Sequence, residues 1–124
     1  MLTRWRAQFA ENAKTLASSH LIPEMLHNEI EGWKFPREII KKSSAVFFSD
    51  LNDPLWLRKK IQVAQKAIKS AGADVLEIKS SGRSLVARLF FLLVLADWVS
   101  YELAILNKVD PISIPVIESL KKVS

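Results

Sequence analysis

The sequence predicts an α/β fold that contains one strand–helix–strand unit and several further helices. Two short apolar runs flank a segment with helical periodicity, an order typical of two parallel strands joined by a crossover helix. Residues 85–106 are apolar around most of the helical circumference, and such a helix must be covered on several sides. Two strands cannot cover this helix and also have both of their own faces covered, so we expect a partial domain.

The composition is that of one folded domain. The chain has 124 residues, of which 49% are hydrophobic, so residues 1–124 are expected to form a single domain. The absence of cysteine excludes disulfides, thiolate metal sites and a catalytic thiol. With only two histidines, neither a metal site nor a cofactor is expected. The N-terminus lacks the apolar segment of a signal peptide, which predicts a cytoplasmic protein.

The charge of the chain does not by itself indicate a nucleic-acid partner. The formal net charge is +5 and the pI is about 9.6, but the basic residues occur in small clusters separated by acids. No glycine–aromatic recognition motif accompanies them. We therefore interpret the basic clusters as solvated surface, and we expect no binding to nucleic acid.

The first predicted helix covers residues 3 to about 18. Its apolar residues recur at spacings of three and four, which is typical of an amphipathic helix, and Thr3 is a candidate N-cap. Glu11 falls on the polar face together with Gln8. From the pattern alone, the simplest interpretation of Glu11 is a surface acid that pairs with Lys14.

A second helix is predicted from Pro23 to about residue 30, and it ends near Gly32. Pro23 suits the first helical position because its missing N–H would be unpaired there in any case. The helix carries His27, and a single histidine on such an element is more often structural than catalytic. Pro36 is expected to open a short helical turn.

The strand–helix–strand unit is predicted over residues 45–78. Residues 45–48 form an unbroken apolar run between polar turn residues, which suits a strand buried on both faces. Asp53 is a candidate cap for the following helix, which Gly72 ends. Residues 73–78 form the second strand, and parallel pairing is expected. The predicted inner face of the helix consists of Leu57, Ile61, Ala64 and Ile68.

The long apolar helix predicted over residues 85–106 raises the alternative of a membrane span. A span needs about 20 predominantly apolar residues with few charges, and this segment contains Arg88, Asp97 and Glu102. We therefore interpret it as the central helix of an α/β layer and expect no membrane partner. A last short helix is predicted from Pro115 through residue 122.

Two groups of residues occur in the order in which a known family has them. The first group is Arg4-Trp5-Arg6, Glu11-Asn12-Ala13-Lys14, residues 23–30 and Gly32-Trp33. The second group is Asp97-Trp98, Ser100-Tyr101, Leu103-Ala104, Val109-Asp110-Pro111, Ile117 and Leu120-Lys121. Together they resemble the C-terminal domain of the bifunctional phosphoglucose/phosphomannose isomerases. The resemblance implies a partial sugar-isomerase (SIS) fold, in which a parallel sheet lies between helices.

The resemblance also implies an activity and three site residues. The family has two SIS domains, works as a dimer and interconverts aldose and ketose 6-phosphates. By resemblance, Glu11 is the base that moves a proton between C1 and C2 through a cis-enediolate. His27 would help to open the sugar ring, and the lysine before the C-terminus would assist; Lys121 matches it, with Lys122 as the alternative. A carboxylate base and an imidazole proton carrier suit this chemistry.

The same resemblance implies that this chain is incomplete by itself. The phosphate-binding loop of the family lies in the N-terminal SIS domain, and the chain begins just before the Arg-Trp group, so we expect the first strands of the second domain to be missing. The family's histidine also serves the site of the neighbouring subunit. The chain is therefore expected to be inactive without an N-terminal SIS domain, which a complementary chain would supply.

A non-catalytic function is the alternative hypothesis. A remnant of this fold would self-associate, as a dimer or another homo-oligomer, through Phe90, Phe91, Trp98 and an exposed strand edge. A sugar phosphate is expected as a ligand only of the completed protein.

Overall fold

The computed structural model describes residues 1–123, which form two compact units. The sheet unit is His20–Gly82, and the helical unit combines Met1–Ser19 with the chain from Arg83 onward. The helices are α1 (Leu2–Glu11), α2 (Arg37–Ile40), α3 (Leu55–Ser70), α4 (Leu85–Leu106) and α5 (Pro115–Lys121). The strands are β1 (Ser44–Ser49) and β2 (Asp74–Lys79), and two 3₁₀ segments cover Glu24–His27 and Glu29–Gly32.

The sheet unit contains the predicted strand–helix–strand motif. Strands β1 and β2 pair in parallel, with Phe47 opposite Glu77, and α3 connects them. The apolar side of α3 buries Ile61, Ala64 and Ile68 in one cluster with Phe47. Two short apolar runs on either side of a helical pattern with one apolar face thus predicted the two strands, the helix between them and the parallel pairing correctly.

The strands are less covered than the sequence suggested. Phe47 is buried, whereas the other residues of β1 are half-buried or exposed, and Leu76 of β2 is 58% exposed. The prediction that the first strand is buried on both faces is therefore wrong for the described residues. The reason is that the described sheet has two strands, and α3 is the long helix that packs against them within the sheet unit.

The segment predicted as one helix from Pro23 is instead two 3₁₀ segments. The break lies at Asn28, whose backbone has φ −148° and ψ −73°. The Asn28 side-chain oxygen accepts a hydrogen bond of 2.6 Å from the backbone N–H of Glu29. This local bond competes with helical pairing, which ends the first segment and starts the second. The predicted short turn after Pro36 is confirmed as α2, with Ile40 buried.

In the helical unit, α4 has the predicted bounds and packs against α1. Ser84 caps α4, because its Oγ accepts a hydrogen bond of 3.1 Å from the N–H of Ala87. One stripe of α4 is buried, and its members follow one another at intervals of four residues, so they lie on one face of the helix. These residues are Leu92, Ala96, Ser100 and Ala104.

Most of the remaining surface of α4 is apolar and exposed. We call one continuous row of it the α4 stripe, defined as Val86, Phe90, Val94, Trp98, Tyr101 and Ile105. By length and composition, α4 is sufficient to cross a membrane, and 22% of its most apolar window is buried. A buried core helix can have the same length and composition, so the expectation that α4 is not a membrane span stays a prediction, and Asp97 within it is engaged by side chains of α1.

Helix α1 is shorter than its periodicity indicated. It starts after Met1, which replaces the predicted cap Thr3, and it ends at Glu11 rather than near residue 18. The chain leaves the helix because Lys14 has a left-handed backbone with φ 55°. Asn107 at the end of α4 donates a hydrogen bond of 2.9 Å to the carbonyl of Ala13, so a tertiary contact fixes this non-helical path.

Candidate active site

Glu11 is the last residue of α1, and its side chain is exposed. Within residues 1–123, its carboxylate forms no hydrogen bond or ion pair. The ammonium group of Lys14 donates to the backbone carbonyl of Glu11, so the predicted pairing of the two side chains is wrong. The carboxylate is thus left free for a ligand.

A row of polar side chains attaches α1 to α4. Arg4, Gln8 and Asn12 follow one another at intervals of four, and all three reach Asp97 or Ser100 of α4. Arg4 Nη2 lies 3.5 Å from Asp97 Oδ1, and Gln8 Nε2 donates to the same oxygen. Asn12 Nδ2 donates to Ser100 Oγ over 2.9 Å. These contacts fix both the rotation and the height of α1 on α4.

The apolar part of the same interface is centred on Trp5. Its ring is 4% exposed, and its Nε1–H donates a hydrogen bond of 2.9 Å to the carbonyl of Leu92. Gln8, which the sequence placed on the solvent face with Glu11, is 6% exposed. That prediction is wrong because Asp97 supplies an acceptor inside an otherwise apolar helix. Helix α1 therefore turns Gln8 inward and Glu11 outward.

The residues that follow Glu11 are held from two further sides. Asn107 Nδ2 donates to the carbonyl of Ala13 over 2.9 Å and to Thr15 Oγ1 over 3.0 Å. Lys14 Nζ also donates to the carbonyl of Ser113 over 2.6 Å. The end of α1 is consequently tied to the end of α4 and to the segment that precedes α5.

The two other predicted site residues lie in different places. Lys121 is the exposed last residue of α5 and belongs to the helical unit, as Glu11 does. His27 is the exposed last residue of the first 3₁₀ segment and belongs to the sheet unit. Among the side chains of residues 1–123, no hydrogen bond or ion pair joins these three residues to one another.

The second histidine has a structural partner. His20 Nδ1 contacts the carboxylate of Glu29 in the sheet unit. His27 has no such acid partner in the part of the chain that the structure describes, which leaves its imidazole available. Across the same residues, no group of three or more histidines, aspartates and glutamates is placed to hold a metal ion.

A shallow cavity of about 510 Å³ lies in the sheet unit, between α3 and β2. Its lining residues are Gln62, Gln65, Lys66, Lys69, Val75 and Glu77. Hydrogen bonds from Ser49 Oγ (2.7 Å) and Gln65 Nε2 (3.1 Å) lower the pKa of the Glu77 carboxyl. The Glu77 side chain therefore links β1, β2 and α3. The cavity contains none of the three predicted site residues, and these bonds are structural.

Sequence reasoning missed the polar row between α1 and α4. One signal was present, because Arg4, Gln8 and Asn12 share a helical face. Asp97 and Ser100 of α4 are likewise polar and three residues apart, so they also share a helical face. Polar residues that recur on one face of each of two helices indicate that the two faces contact each other. Because Gln8 was assigned to the solvent-exposed face of α1, this contact with α4 was not predicted.

The fold and a comparison with known proteins together identify the family to which this chain belongs. A parallel strand pair with its crossover helix, followed by a long apolar helix that holds α1, is part of an α/β domain. The chain belongs to the family described as bacterial phospho-glucose isomerase C-terminal SIS domain, whose match covers residues 1–123. The resemblance found in the sequence is thereby confirmed.

Four similar proteins share one name, bifunctional phosphoglucose/phosphomannose isomerase. The relative from Thermoplasma acidophilum is 38% identical over 119 residues, which are 96% of this chain and 36% of the relative. The relative from Aquifex aeolicus is 35% identical over 119 residues, covering 96% of this chain and 37% of the relative. This chain thus spans little more than a third of their length. No solved structure matches.

Proposed function

We propose that this chain is the C-terminal part of a phosphoglucose/phosphomannose isomerase that interconverts aldose and ketose 6-phosphates. The identities of 35% and 38% to two enzymes of that name support the proposal. The family match over residues 1–123 includes both groups of residues that carry the resemblance. The reaction would take place in the cytoplasm and connect glucose or mannose 6-phosphate with fructose 6-phosphate.

The observation that carries the proposal is the free carboxylate of Glu11 at the end of a firmly attached helix. A base that removes a proton from carbon must be held at a fixed place while its oxygen atoms remain unengaged. Hydrogen bonds on the opposite side of α1 supply that attachment. Within residues 1–123, no other group competes for the carboxylate.

In the proposed reaction, Glu11 takes the proton from C2 of the open-chain aldose. The electron pair of the broken C–H bond forms the C1–C2 double bond of a cis-enediolate, and the charge passes to the oxygen on C1. The hydroxyl proton on the C2 oxygen then passes to the C1 oxygen, the C2–O bond becomes the carbonyl, and the electron pair of the C1–C2 double bond takes the proton back from Glu11 at C1, which gives the ketose. His27 transfers the proton that opens the sugar ring, and Lys121 stabilises negative charge on a sugar oxygen.

We propose that the rest of the relatives' length supplies what this chain does not. An N-terminal SIS domain would hold the sugar phosphate, and the strands that precede this segment would cover the α4 stripe. Covering six large apolar side chains would be favourable by about 25 cal/mol for each Å² buried. On this view α4 packs inside a domain rather than in a bilayer, and the chain alone is inactive. A dimer would bring His27 to the neighbouring site.

The test uses the chain together with the part of the Thermoplasma acidophilum relative that precedes its match to this chain. Conversion of fructose 6-phosphate to glucose 6-phosphate is measured for the complex with wild-type chain, with Glu11→Gln and with Glu102→Gln. Glu102 is exposed on α4 in the same unit, so it controls for the loss of one carboxylate. Glu11→Gln is expected to lower kcat by about 100- to 10,000-fold, as for loss of a general base, and Glu102→Gln to leave it unchanged. Retained activity of Glu11→Gln would remove Glu11 from this role.

The second candidate is a non-catalytic module that self-associates through the α4 stripe. The observation in its favour is the exposure of Phe90, Trp98 and Ile105, at 61%, 62% and 52%. The molar mass of the purified chain by light scattering, with and without glucose 6-phosphate, separates the two candidates. A stable oligomer that neither binds sugar phosphate nor combines with the N-terminal part would favour the module.

A further inference from the structure

We propose that Lys14 is a positioning residue that holds Glu11 in place for proton transfer. This inference rests on the proposed function, because it assigns a role to a residue that acts through Glu11. Lys14 Nζ donates to two backbone carbonyls, that of Glu11 and that of Ser113, the latter over 2.6 Å. Its side chain thereby joins the end of α1 to the segment that leads into α5.

The backbone conformation of Lys14 indicates that its side chain, rather than the turn itself, is the reason for a lysine at this position. Lys14 has φ 55°, a left-handed conformation that glycine and asparagine adopt more readily than lysine. Strained residues of this kind persist where the surrounding contacts hold them, and they concentrate at functional sites. Glycine or asparagine would fit the turn better, but neither could reach the two carbonyls.

The position of the bridge explains why it would matter for Glu11. Helix α1 ends at Glu11, and carbonyl groups in the last turn of a helix lack helical partners. An ammonium group at this end satisfies one such carbonyl and also interacts favourably with the helix dipole. Asn12 already fixes the other side of this turn through Ser100. With Lys14 in place, the turn that carries Glu11 is held from two directions.

The bridge also relates two proposed site residues to each other. Ser113 immediately precedes the short connection to α5, and α5 ends at Lys121. Both ends of the bridge lie in the helical unit. Lys14 therefore fixes the end of α1 against the segment that leads into the helix that carries Lys121. A shift of this contact would displace Glu11 while its carboxylate remained chemically intact.

The experiment measures kcat and KM separately for the complex of this chain with the N-terminal part of the relative. Lys14→Met removes the ammonium group at similar length, and Lys59→Met makes the same change at an exposed position of α3. Lys14→Met is expected to lower kcat by about 10–100-fold, the size expected for a displacement near 1 Å, with KM changed less than about twofold. Lys14→Arg, which retains two donors and the charge, should recover most of kcat.

A further variant separates positioning from folding. Lys14→Asn suits the left-handed backbone but is too short to reach Ser113, so it should keep the thermal midpoint of the chain and still lose kcat. The inference would be overturned if Lys14→Met and Lys14→Asn had the same kcat as Lys59→Met, or if their loss of activity were confined to KM. If Glu11→Gln retains full activity, the proposed function itself fails. Inactive Glu11→Gln together with fully active Lys14 variants refutes only the role of Lys14.

Discussion

The contact between Asn12 and Ser100 offers a direct test of how α1 is attached to α4. Ser100 is 0% exposed, and its Oγ accepts a hydrogen bond of 2.9 Å from Asn12 Nδ2 while donating one of 3.0 Å to the carbonyl of Asp97. Ser100→Ala removes both bonds and introduces no steric conflict. Ser119→Ala is the matched control, because Ser119 is exposed and donates a similar bond of 2.8 Å to the carbonyl three residues earlier.

The expected magnitude follows from these contacts. Each neutral hydrogen bond contributes about 0.5–1.5 kcal/mol net, and alanine regains about 0.5 kcal/mol through its higher helix propensity. The half-buried Asn12 can bind water instead, so no full desolvation penalty is added. Ser100→Ala should therefore lower the free energy of unfolding by about 1–2 kcal/mol. Ser119→Ala should change it by less than about 0.5 kcal/mol.

Urea denaturation followed by tryptophan fluorescence measures both variants, since Trp5 lies in the α1–α4 interface. A double-mutant cycle with Asn12→Ala isolates the Asn12–Ser100 bond, for which a coupling energy of about 0.5–1.5 kcal/mol is expected. If Ser100→Ala is no more destabilising than Ser119→Ala, or if the cycle shows no coupling, the Asn12–Ser100 contact does not attach α1 to α4.

Two further predictions concern the sheet unit. Ile68→Ala should lower the free energy of unfolding by about 2–5 kcal/mol in denaturant titrations, because Ile68 is 1% exposed. Val63→Ala is the control, since Val63 is 68% exposed on the same helix and its loss should have little effect. Equal effects of the two variants would contradict the assigned core. The Glu77 carboxyl has a lowered pKa in the folded protein, so its ionised form stabilises the fold above the ordinary carboxyl pKa of 4.5, and this contribution is lost as the pH falls through the lowered value. Glu77→Gln should therefore reduce the decline of stability in that acid range, and an unchanged acid profile would contradict the assigned hydrogen bonds.

The sequence predicted best where one periodicity extended over many residues. The bounds of α3 and α4 agree with expectation to within two residues, and the parallel pair follows from two short apolar runs around a helix. In such segments every helical turn repeats the same apolar pattern, so single tertiary contacts do not change the secondary structure.

The prediction failed where single side chains decide the backbone path. The periodicity of α1 continues past Glu11, but Asn107 holds the carbonyl of Ala13 and Lys14 adopts a left-handed conformation. Asn28 similarly divides the predicted second helix through one local hydrogen bond. Asn107, which binds the carbonyl of Ala13, lies 94 residues away, so the local sequence pattern around Ala13 cannot predict this contact.

The candidate site could be predicted only through the family. Neither spacing nor composition distinguishes Glu11, His27 or Lys121 from ordinary surface residues, and all three are exposed. The polar row between α1 and α4 was within reach of sequence reasoning, because its spacing is regular. Its recognition required the knowledge that α1 and α4 pack together, which only the structure provides.

We propose that this chain is one part of an isomerase whose other part holds the phosphate. The most direct test of this proposal mixes the purified chain with the preceding part of the Thermoplasma acidophilum relative and measures glucose 6-phosphate formed from fructose 6-phosphate. We expect turnover in the mixture and none with either part alone. A stable complex of the two parts without turnover, or full turnover by the chain alone, would contradict the account.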